Sequence, residues 1–309
     1  MNKPEISVII PVYNEENNIN ELYNRIAKAL KDINDYEIIF INDCSTDNTE
    51  ERIKLLCNNA KEVKLISLSR NYGHQIALSC GYDFANGKAV ISLDGDLQHP
   101  PEILPEMIKL WKDGGEIIIG RRANFDHLSV VKRMTSKVFY NLLNFIADFE
   151  LIVDAADFRL VDEKVVHYLR LFREKSRFLR GVISVIGFKK LIIDYQEQDR
   201  FSGRTKYSFK KMLSFALKGI LSFSTAPLRF SIYMGMLISL LSIIYALWII
   251  YYKIAYGISP GLASIIAGIF FATGIQLFFL GVIGEYIALI IEEVKNRPLY
   301  CISKKIRIE

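Results

Sequence analysis

The chain has 309 residues, which is long enough for one large domain or two smaller ones around a substantial hydrophobic core. Hydrophobic residues make up 51% of it, a high share for a soluble protein, and this predicts a membrane portion. The net charge of +5 is too mild for a typical nucleic-acid-binding protein, and the four cysteines form neither a CxxC pair nor a Cys/His cluster, so neither a zinc site nor a disulfide framework is predicted.

Short apolar runs alternate with longer helical patterns along residues 5–121. The runs are nearly continuous in Ile and Val, which is typical of strands that are covered on both faces. This alternation of strands and helices predicts a doubly wound, mainly parallel sheet of the α/β class. In chain order, the predicted strands are ISVIIPVY, YEIIFIND, VKLISLS, KAVISLDGD and EIIIGRR.

Three segments between these runs carry helix signals. The first, NINELYNRIAKALKDI, places Ile19, Leu22, Ile26 and Leu30 on one apolar stripe. The second, STDNTEERIKLLC, opens with capping and acidic residues. The third, PPEILPEMIKLWKDGG, begins with prolines and ends with glycines. We therefore expect helices to cover the faces of the sheet.

Polar residues follow each predicted strand, and the fourth strand ends in LDGDLQHPP. Ligands of doubly wound sheets bind at the carboxyl ends of the strands, so we expect the binding site at this edge. The edge, called the carboxyl rim below, comprises segments 11–15, 42–43, 69–71, 94–96 and 120–122. Asp94 and Asp96 flank Gly95, and Asp-Gly by itself is a common turn. Two carboxylates also suit Mg²⁺ or Mn²⁺ completed by substrate phosphates, so the motif alone leaves both interpretations open.

Two long apolar stretches in the C-terminal third predict a transmembrane hairpin. No charged residue lies between Arg229 and Lys253, which is roughly 35 Å of helix and exceeds a bilayer core of about 30 Å. The predicted spans are 229–252 and 261–291, and the flanking lysines and arginines place both termini in the cytoplasm. Residues 206–228 form an amphipathic segment that suits either the membrane interface or the surface of the N-terminal domain, 1–205. Residues 292–309 form a basic cytoplasmic tail.

Seven motifs resemble, in this order, those of family 2 glycosyltransferases with the GT-A fold. They are PVYNE (11–15), INDCSTDNT (41–49), LDGDLQHPPE (93–102), GRR (120–122), DAADFRLVD (154–162), RFLRG (177–181) and RFSGRTKYS (200–208). The hairpin ends in GEYIALIIEEVKNRPLY and narrows the resemblance to polyprenyl-phosphate glycosyltransferases, which include the dolichyl-phosphate mannose synthases. The chain looks most like the bactoprenol glucosyltransferase branch, and the resemblance covers essentially its whole length.

The resemblance implies a donor site and a metal site on the carboxyl rim. The residues that match the family's nucleotide-sugar site are Pro11, Tyr13, Glu15, Asp43, Asp94, Arg122, Arg200 and Lys206. Those that match its site for Mg²⁺ or Mn²⁺ are Asp94, Asp96 and Gln98. Asp43 also suits an Asx-turn or a cap, and the basic residues also suit a solvated surface. His99 precedes two prolines, which suits the start of a helix, and is left out of the ligand set.

The resemblance also implies a catalytic residue and an acceptor site. Asp157 matches the family's candidate base, and Lys132, Arg133 and Ser136 match a cluster near the acceptor phosphate. That acceptor is a phosphate monoester with a second pKa of about 6, so it is mostly dianionic at neutral pH and needs little deprotonation. Asp157 therefore acts as a base, orients the acceptor or the sugar, or pairs with Arg159 or another cation of the rim.

The sequence thus predicts an inverting, membrane-bound glycosyltransferase. It would move a hexose, glucose from UDP-glucose, onto undecaprenyl phosphate at the cytoplasmic face of the inner membrane. GDP-mannose, a UDP-N-acetylhexosamine or a UDP-aminoarabinose derivative are alternative donors. The alternative from another class is a catalytically inactive, membrane-anchored protein that binds nucleotide sugars. By analogy with the resembled branch, we expect a homo-oligomer, a tetramer, and no nucleic-acid partner.

Overall fold

An eight-stranded sheet organises the part of the chain that the computed structural model describes, residues 3–33, 35–123, 155–175, 177, 179–196, 226–256 and 261–308. The strands are Ile6–Val12 (β1), Tyr36–Asn42 (β2), Val63–Leu68 (β3), Ala89–Ser92 (β4), Ile117–Arg122 (β5), Ala155–Asp162 (β6), Lys190–Tyr195 (β7) and Ile302–Ile306 (β8). Their order across the sheet is β7-β5-β6-β4-β1-β2-β3-β8.

The helices of the described residues fall into two groups. Six surround the sheet: Ile19–Ala29 (α1), Thr49–Asn59 (α2), His74–Phe84 (α3), Leu104–Lys112 (α4), Glu163–Leu171 (α5) and Leu179–Val185 (α6). Two are much longer, Ala226–Tyr256 (α7) and Leu262–Val294 (α8). The chain divides accordingly into two compact units, one with the sheet and α1–α6 and one with α7 and α8.

The centre of the sheet is parallel and covered on both faces, as predicted. Strands β3, β2, β1 and β4 are adjacent and parallel, and so are β5 and β7. On one face, the predicted stripe of α1, from Ile19 to Leu30, is fully buried in the core. On the other face α3 lies so close that a Cβ on Gly81 would stand 2.9 Å from side-chain atoms of Ile9 and Ile41. All five strands predicted from the apolar runs are present, and the mixed α/β sheet of GT-A type is confirmed.

Two strands depart from the parallel arrangement. β6 is antiparallel to both β4 and β5, and Ser92 on β4 is paired with Arg159 on β6. Because β6 runs in the opposite direction, its first residues lie beside the last residues of β4, at the carboxyl rim. This reversal places Asp157 at the edge of the sheet where Asp94 emerges.

The other antiparallel strand, β8, comes from the segment predicted to be a basic tail. It pairs with β3, with Ser67 opposite Lys304 and Leu65 opposite Ile306. Residues 292–309 therefore contain an edge strand of the sheet, which their composition did not indicate. A covered edge also removes a row of exposed backbone groups from β3.

Among the described residues, the second unit contains two helices that are long and apolar enough to cross a membrane. The candidate spans are Leu228–Tyr256, 29 residues with a mean hydropathy of 2.1, and Gly268–Val294, 27 residues with a mean hydropathy of 2.0. In the part of the chain that the structure describes, the most apolar stretch of each candidate span is not buried. The two predicted apolar helices, 229–252 and 261–291, are thus present and extend a few residues further at most of their ends.

Candidate active site

The loop after β4 presents the predicted metal residues on one side. Asp94, Asp96 and Gln98 are half-buried, while the residues that alternate with them are buried. Gly95 lies against the end of β1, where an added Cβ would stand only 2.8 Å from Cγ1 of Val12. The backbone N–H of Gln98 donates to Oδ1 of Asp96 at 3.1 Å, which closes the turn. Local packing therefore holds both carboxylates on the accessible side of the carboxyl rim.

His74, the first residue of α3, lies between two of the predicted site carboxylates. Its Nε2 atom is 3.5 Å from Oδ1 of Asp94 and 3.4 Å from Oδ2 of Asp157. Burial by itself lowers the pKa of His74, but Asp94 and Asp157 outweigh it and raise the pKa to about 9. His74 is thus an imidazolium at neutral pH and bridges the loop after β4 to the start of β6.

Asp157 is a buried carboxylate, 5% exposed, that is held by several donors at once. Gln75 donates from Nε2 to Oδ2 at 2.9 Å, and Arg159 donates from Nη2 to Oδ1. Arg180 reaches both oxygens, from Nε to Oδ1 and from Nη2 to Oδ2, at 3.2 Å each. With His74 beside Oδ2 as well, both oxygens of Asp157 are fully engaged.

These partners set the protonation state of Asp157. Burial would raise its pKa, but Arg180, His74 and Arg159 hold the pKa well below its usual range. A carboxylate that is stabilised so strongly in its charged form is a poor acceptor for a proton. The geometry therefore matches the interpretation in which Asp157 pairs with Arg159 and other rim cations.

Asp43 emerges from β2 and anchors the loop that leads into α3. It is 3% exposed, and its oxygens accept hydrogen bonds from the backbone N–H groups of Tyr72 at 2.7 Å and Gly73 at 2.8 Å. Burial raises the pKa of Asp43, and the two backbone hydrogen bonds oppose this. The Asx-turn interpretation would place the partners of Asp43 within its own loop. The backbone that Asp43 holds belongs instead to the connection between β3 and α3.

The loops after β1 and β2 are bonded to each other along the rim. Asn14, which has a positive φ of 56°, donates from its backbone to Oγ of Ser45 and accepts from the backbone of Thr46. The backbone N–H of Glu15 donates to Oγ1 of Thr49 at 2.9 Å. Pro11 lies beyond Ile9, where the pairing of β1 with β4 ends, so its missing N–H costs no bond to β4. The predicted residues Pro11, Tyr13 and Glu15 thus border the same edge as Asp43.

His99 lies beneath the loop after β4. It is 1% exposed, its ring stacks on Phe158 at 5.1 Å, and Tyr195 meets it edge-on at 5.7 Å. Its Nδ1 atom lies 3.4 Å from the backbone N of Asp94. Burial lowers the pKa of His99. The negative charges of Asp94 and Asp96 oppose this shift, and the positive charge of Arg122 adds to it, so these charged groups lie close to the ring. The ring supports the loop from below.

The structure brings many, though not all, of the predicted residues into view. Pro11, Tyr13, Glu15, Asp43, Asp94, Asp96, Gln98, Arg122 and Asp157 lie along the carboxyl rim. The remaining predicted residues, Arg200 and Lys206 of the donor site and Lys132, Arg133 and Ser136 of the acceptor site, lie outside the described residues.

Three residues of the site were missed from the sequence: His74, Gln75 and Arg180. A signal for the first two exists in the sequence, because segment 69–71 was expected at the rim and His74 and Gln75 follow it closely, directly after Gly73. For Arg180 the sequence predicted no role, and only the long-range contact with Asp157 places it at the site. The RFLRG motif that contains Arg180 indicated the family but predicted no role for this residue.

The donor set of the rim fits a cation that is shared with a substrate. Among the described residues, no group of three or more His, Cys, Asp or Glu side chains is arranged to hold a metal ion. Asp94 and Asp96 nevertheless offer hard oxygen ligands, and Mg²⁺ commonly takes only one or two carboxylates with phosphates and water completing its shell.

Comparison with known protein families agrees with this fold. The model of glycosyl transferase family 2 matches residues 7–170, more than half of the chain. The chain belongs to glycosyl transferase family 2. A second model, the GtrB C-terminal hairpin, matches residues 226–290 of this glycosyltransferase and covers most of α7 and α8.

The glycosyltransferase is similar to other proteins over nearly its whole length. It is 40% identical over 301 residues to an uncharacterized glycosyltransferase of Synechocystis sp., covering 97% of this chain and 95% of that protein. It is 38% identical over 307 residues to the bactoprenol glucosyl transferase of Shigella phage SfII, covering 98% and 99%. Among solved structures, the glucosyl-3-phosphoglycerate synthase of Mycobacterium tuberculosis in complex with Mn²⁺, UDP and phosphoglyceric acid matches with a TM-score of 0.47 and 16% identity, over 71% of this chain and 76% of that one.

Proposed function

We propose that this glycosyltransferase moves glucose from UDP-glucose onto undecaprenyl phosphate, with inversion at the anomeric carbon. The observation that carries the proposal is the likeness of the whole chain, sheet unit and hairpin together, to a bactoprenol glucosyl transferase. A lipid-linked acceptor also explains why a family 2 domain is followed by two helices long enough to span a bilayer.

The charges on the rim support a nucleoside diphosphate as the leaving group. Asp94 and Asp96 would hold Mg²⁺ or Mn²⁺, and such a cation, when bound, neutralises charge on the departing diphosphate. Arg122 and Arg180 supply fixed positive charge on the same rim. His74 holds one oxygen of Asp94 from the side of α3, which limits the directions in which that carboxylate can point.

Asp157 would orient the site rather than remove a proton. Its oxygens are occupied by Gln75, Arg159, Arg180 and His74, and its pKa lies well below the usual range. The acceptor phosphate is already mostly dianionic at neutral pH because its second pKa is about 6. The phosphate can therefore attack the anomeric carbon directly while Asp157 keeps Arg180 and His74 in place.

The acceptor is proposed to arrive from the cytoplasmic leaflet of the inner membrane. The cationic residues that flank the apolar spans favour cytoplasmic ends for both helices. The sheet unit would then work on the side where nucleotide sugars are made. The homo-oligomer, a tetramer by analogy, stays a prediction that light scattering of the detergent-solubilised protein tests.

One assay tests the donor, the acceptor and the metal together. Purified protein is mixed with undecaprenyl phosphate and a panel of labelled nucleotide sugars, with Mn²⁺, with Mg²⁺ or with EDTA. We expect label to enter the lipid from UDP-glucose in the presence of either metal and not in EDTA. The matched variants Asp96→Ala and Asp113→Ala separate the rim carboxylate from a carboxylate at the end of α4, and only the first should abolish transfer. Label from another donor alone, or full activity in EDTA, contradicts the proposal.

A further inference from the structure

The segment that follows α8 returns to the sheet unit and binds it through several separate contacts. Residues 300–306, called the C-terminal strap here, include β8 and cover the edge of β3. The hydroxyl of Tyr300 donates to Oδ2 of Asp83 at 2.7 Å, and Arg173 pairs with the same oxygen at 2.8 Å. Nζ of Lys305 lies 4.7 Å from the centre of the Phe84 ring. The strap is thus fastened to the last turn of α3 as well as to the sheet.

One end of the strap also contacts the loop that leads into the active site. The carbonyl of Cys301 accepts from the backbone N–H of Ser69 at 2.9 Å, and the N–H of Cys301 donates to the hydroxyl of Tyr72 at 3.2 Å. The hydroxyl groups of Ser69 and Tyr72 are also 3.2 Å apart. The guanidinium of Arg70 lies 4.5 Å above the Tyr72 ring. The strap therefore holds Tyr72 by its hydroxyl, at the outer end of the side chain.

The backbone of Tyr72 is held by Asp43, a residue of the carboxyl rim. Its backbone N–H donates to Oδ1 of Asp43, and the next N–H, that of Gly73, donates to Oδ2. Gly73 has a φ of +92°, a conformation that residues with a side chain rarely adopt, and His74 follows directly. Tyr72 consequently connects Cys301 on the strap with Asp43, and lies two residues before the imidazole that bridges Asp94 and Asp157.

We propose that Tyr72 is a positioning residue for glycosyl transfer, and that the C-terminal strap sets the shape of the donor site through its hydroxyl. The inference rests on the proposed function of the rim. The loop 69–73 joins β3 to α3, and without the strap only Asp43 would restrain it among the described contacts. Loss of the Tyr72 hydroxyl would let the loop move and would loosen both Asp43 and His74.

The experiment compares three single variants of the full-length protein. Tyr72→Phe removes the hydroxyl and keeps the ring. Cys301→Ala is the matched control, because the bond to Tyr72 uses the backbone N–H of Cys301 and survives the change. Ser303→Ala removes a different strap contact, the one from its hydroxyl to the carbonyls of Ser67 and Leu68.

We measure the KM for the donor, kcat and hydrogen exchange of the peptide that covers residues 69–75. Tyr72→Phe should raise the donor KM about 5-fold, the size expected for one lost hydrogen bond, and should speed amide exchange in this peptide. Its kcat and its melting temperature should stay close to those of the wild type. Cys301→Ala and Ser303→Ala should leave the donor KM unchanged.

An unchanged donor KM in Tyr72→Phe overturns the proposal, whether or not exchange in the loop changes. An equal rise of KM in all three variants also overturns it, because it would show a general loosening of the strap. If the wild-type protein forms no labelled lipid, the proposed function fails instead. The affinity for UDP with Mn²⁺ then replaces the donor KM, and Tyr72→Phe must weaken it selectively for the positioning role to stand.

Discussion

Three carboxylates of the rim have the same chemistry but different surroundings. Asp157 is 5% exposed and is held by two arginines, a histidine and a glutamine, whereas the side chain of Asp94 is 31% exposed and faces His74 and His99. Asp96 is half-buried on the accessible side of its turn. A carboxylate that remains accessible can bind a cation, while one that is enclosed by cations can only hold them in position.

Replacing Asp157 should therefore destabilise the protein as well as inactivate it. Asp157→Asn leaves the charges of Arg159 and Arg180 without their buried partner, and breaking such a pair typically costs about 3–5 kcal/mol of unfolding free energy. Asp96→Asn, the matched rim variant, should change the unfolding free energy by less than about 1 kcal/mol. Denaturant unfolding of the solubilised protein measures both. Equal stability of the two variants would indicate that Asp157 is not an anchor.

The stability that Asp157 contributes should depend on pH in one direction. Its folded pKa lies below the unfolded value of about 3.9, so its contribution is complete above that value and is lost as the pH falls through the folded pKa. The difference in stability between wild type and Asp157→Asn should be constant from about pH 5 to 6, below the range in which His74 titrates, and shrink below about pH 4. Unfolding curves between about pH 3 and 6 test it, and a difference that grows on acidification would contradict the assignment.

Gly95 should be required for metal-dependent activity because of its contact with β1. A Cβ in Gly95→Ala would stand 2.8 Å from Cγ1 of Val12, so the loop must shift and carry Asp94 and Asp96 with it. We expect the Mn²⁺ concentration for half-maximal transfer to rise about tenfold, in the range known for altered support of metal ligands.

The second-site change Val12→Ala provides the control for Gly95. It removes the methyl group that the new Cβ meets, so the double variant should recover much of the Mn²⁺ affinity, whereas Val12→Ala alone should keep it. Failure of the double variant to improve on Gly95→Ala would assign the effect to backbone flexibility instead.

At the scale of elements, the direction of β6 decides the composition of the site. If β6 were parallel to β4, it would begin at the opposite edge of the sheet, and only its last residues would reach the carboxyl rim. β6 is antiparallel to β4, and the hydroxyl of Ser92 donates to the carbonyl of Asp157 at 2.6 Å. The start of β6 is thereby tied to the end of β4, directly before the loop that carries Asp94.

The far end of β6 is stabilised by Asp162, which also begins α5. Oδ1 of Asp162 accepts from the backbone N–H of Lys164 at 2.9 Å, and Oδ2 accepts from Nε1 of Trp111 at 2.8 Å. Asp162→Ala should lower the unfolding free energy by about 1–2 kcal/mol through loss of the cap. Asp162→Asn retains a side-chain oxygen for the cap and should cost clearly less. Denaturant midpoints measure the two, and equal midpoints would show that the cap does not contribute.

For the whole molecule, the proposed topology places the connection between α7 and α8 outside the cytoplasm. Ser259→Cys should then be labelled by a membrane-impermeant maleimide in intact cells. Cys301, which is exposed on the sheet unit, should be labelled only after the membrane is permeabilised. Mass spectrometry of the labelled protein reads out both sites in one sample. The reverse pattern would place the sheet unit on the opposite side and would exclude a cytoplasmic donor.

Local signals explain which parts of the fold were predictable. The five apolar runs became β1 to β5, and the stripe from Ile19 to Leu30 became a buried helix face, because burial on two faces or one stripe leaves a direct pattern in the sequence. The strands β6, β7 and β8 were not predicted. β8 pairs Ser67 with Lys304, and the residues around Lys304 read as a basic tail because an edge strand can keep charged side chains on its exposed positions.

The sequence by itself determined the strand and helix pattern, the apolar hairpin, the family and the identity of the rim carboxylates, because each depends on residues that are close in the chain. Only the tertiary structure decided that Asp157 is enclosed by Arg159, Arg180, His74 and Gln75, since these come from three separate elements. It also decided that residues after α8 support the loop of Tyr72. Both arrangements depend on strand direction and long-range pairing, and no local pattern of residue types encodes either one.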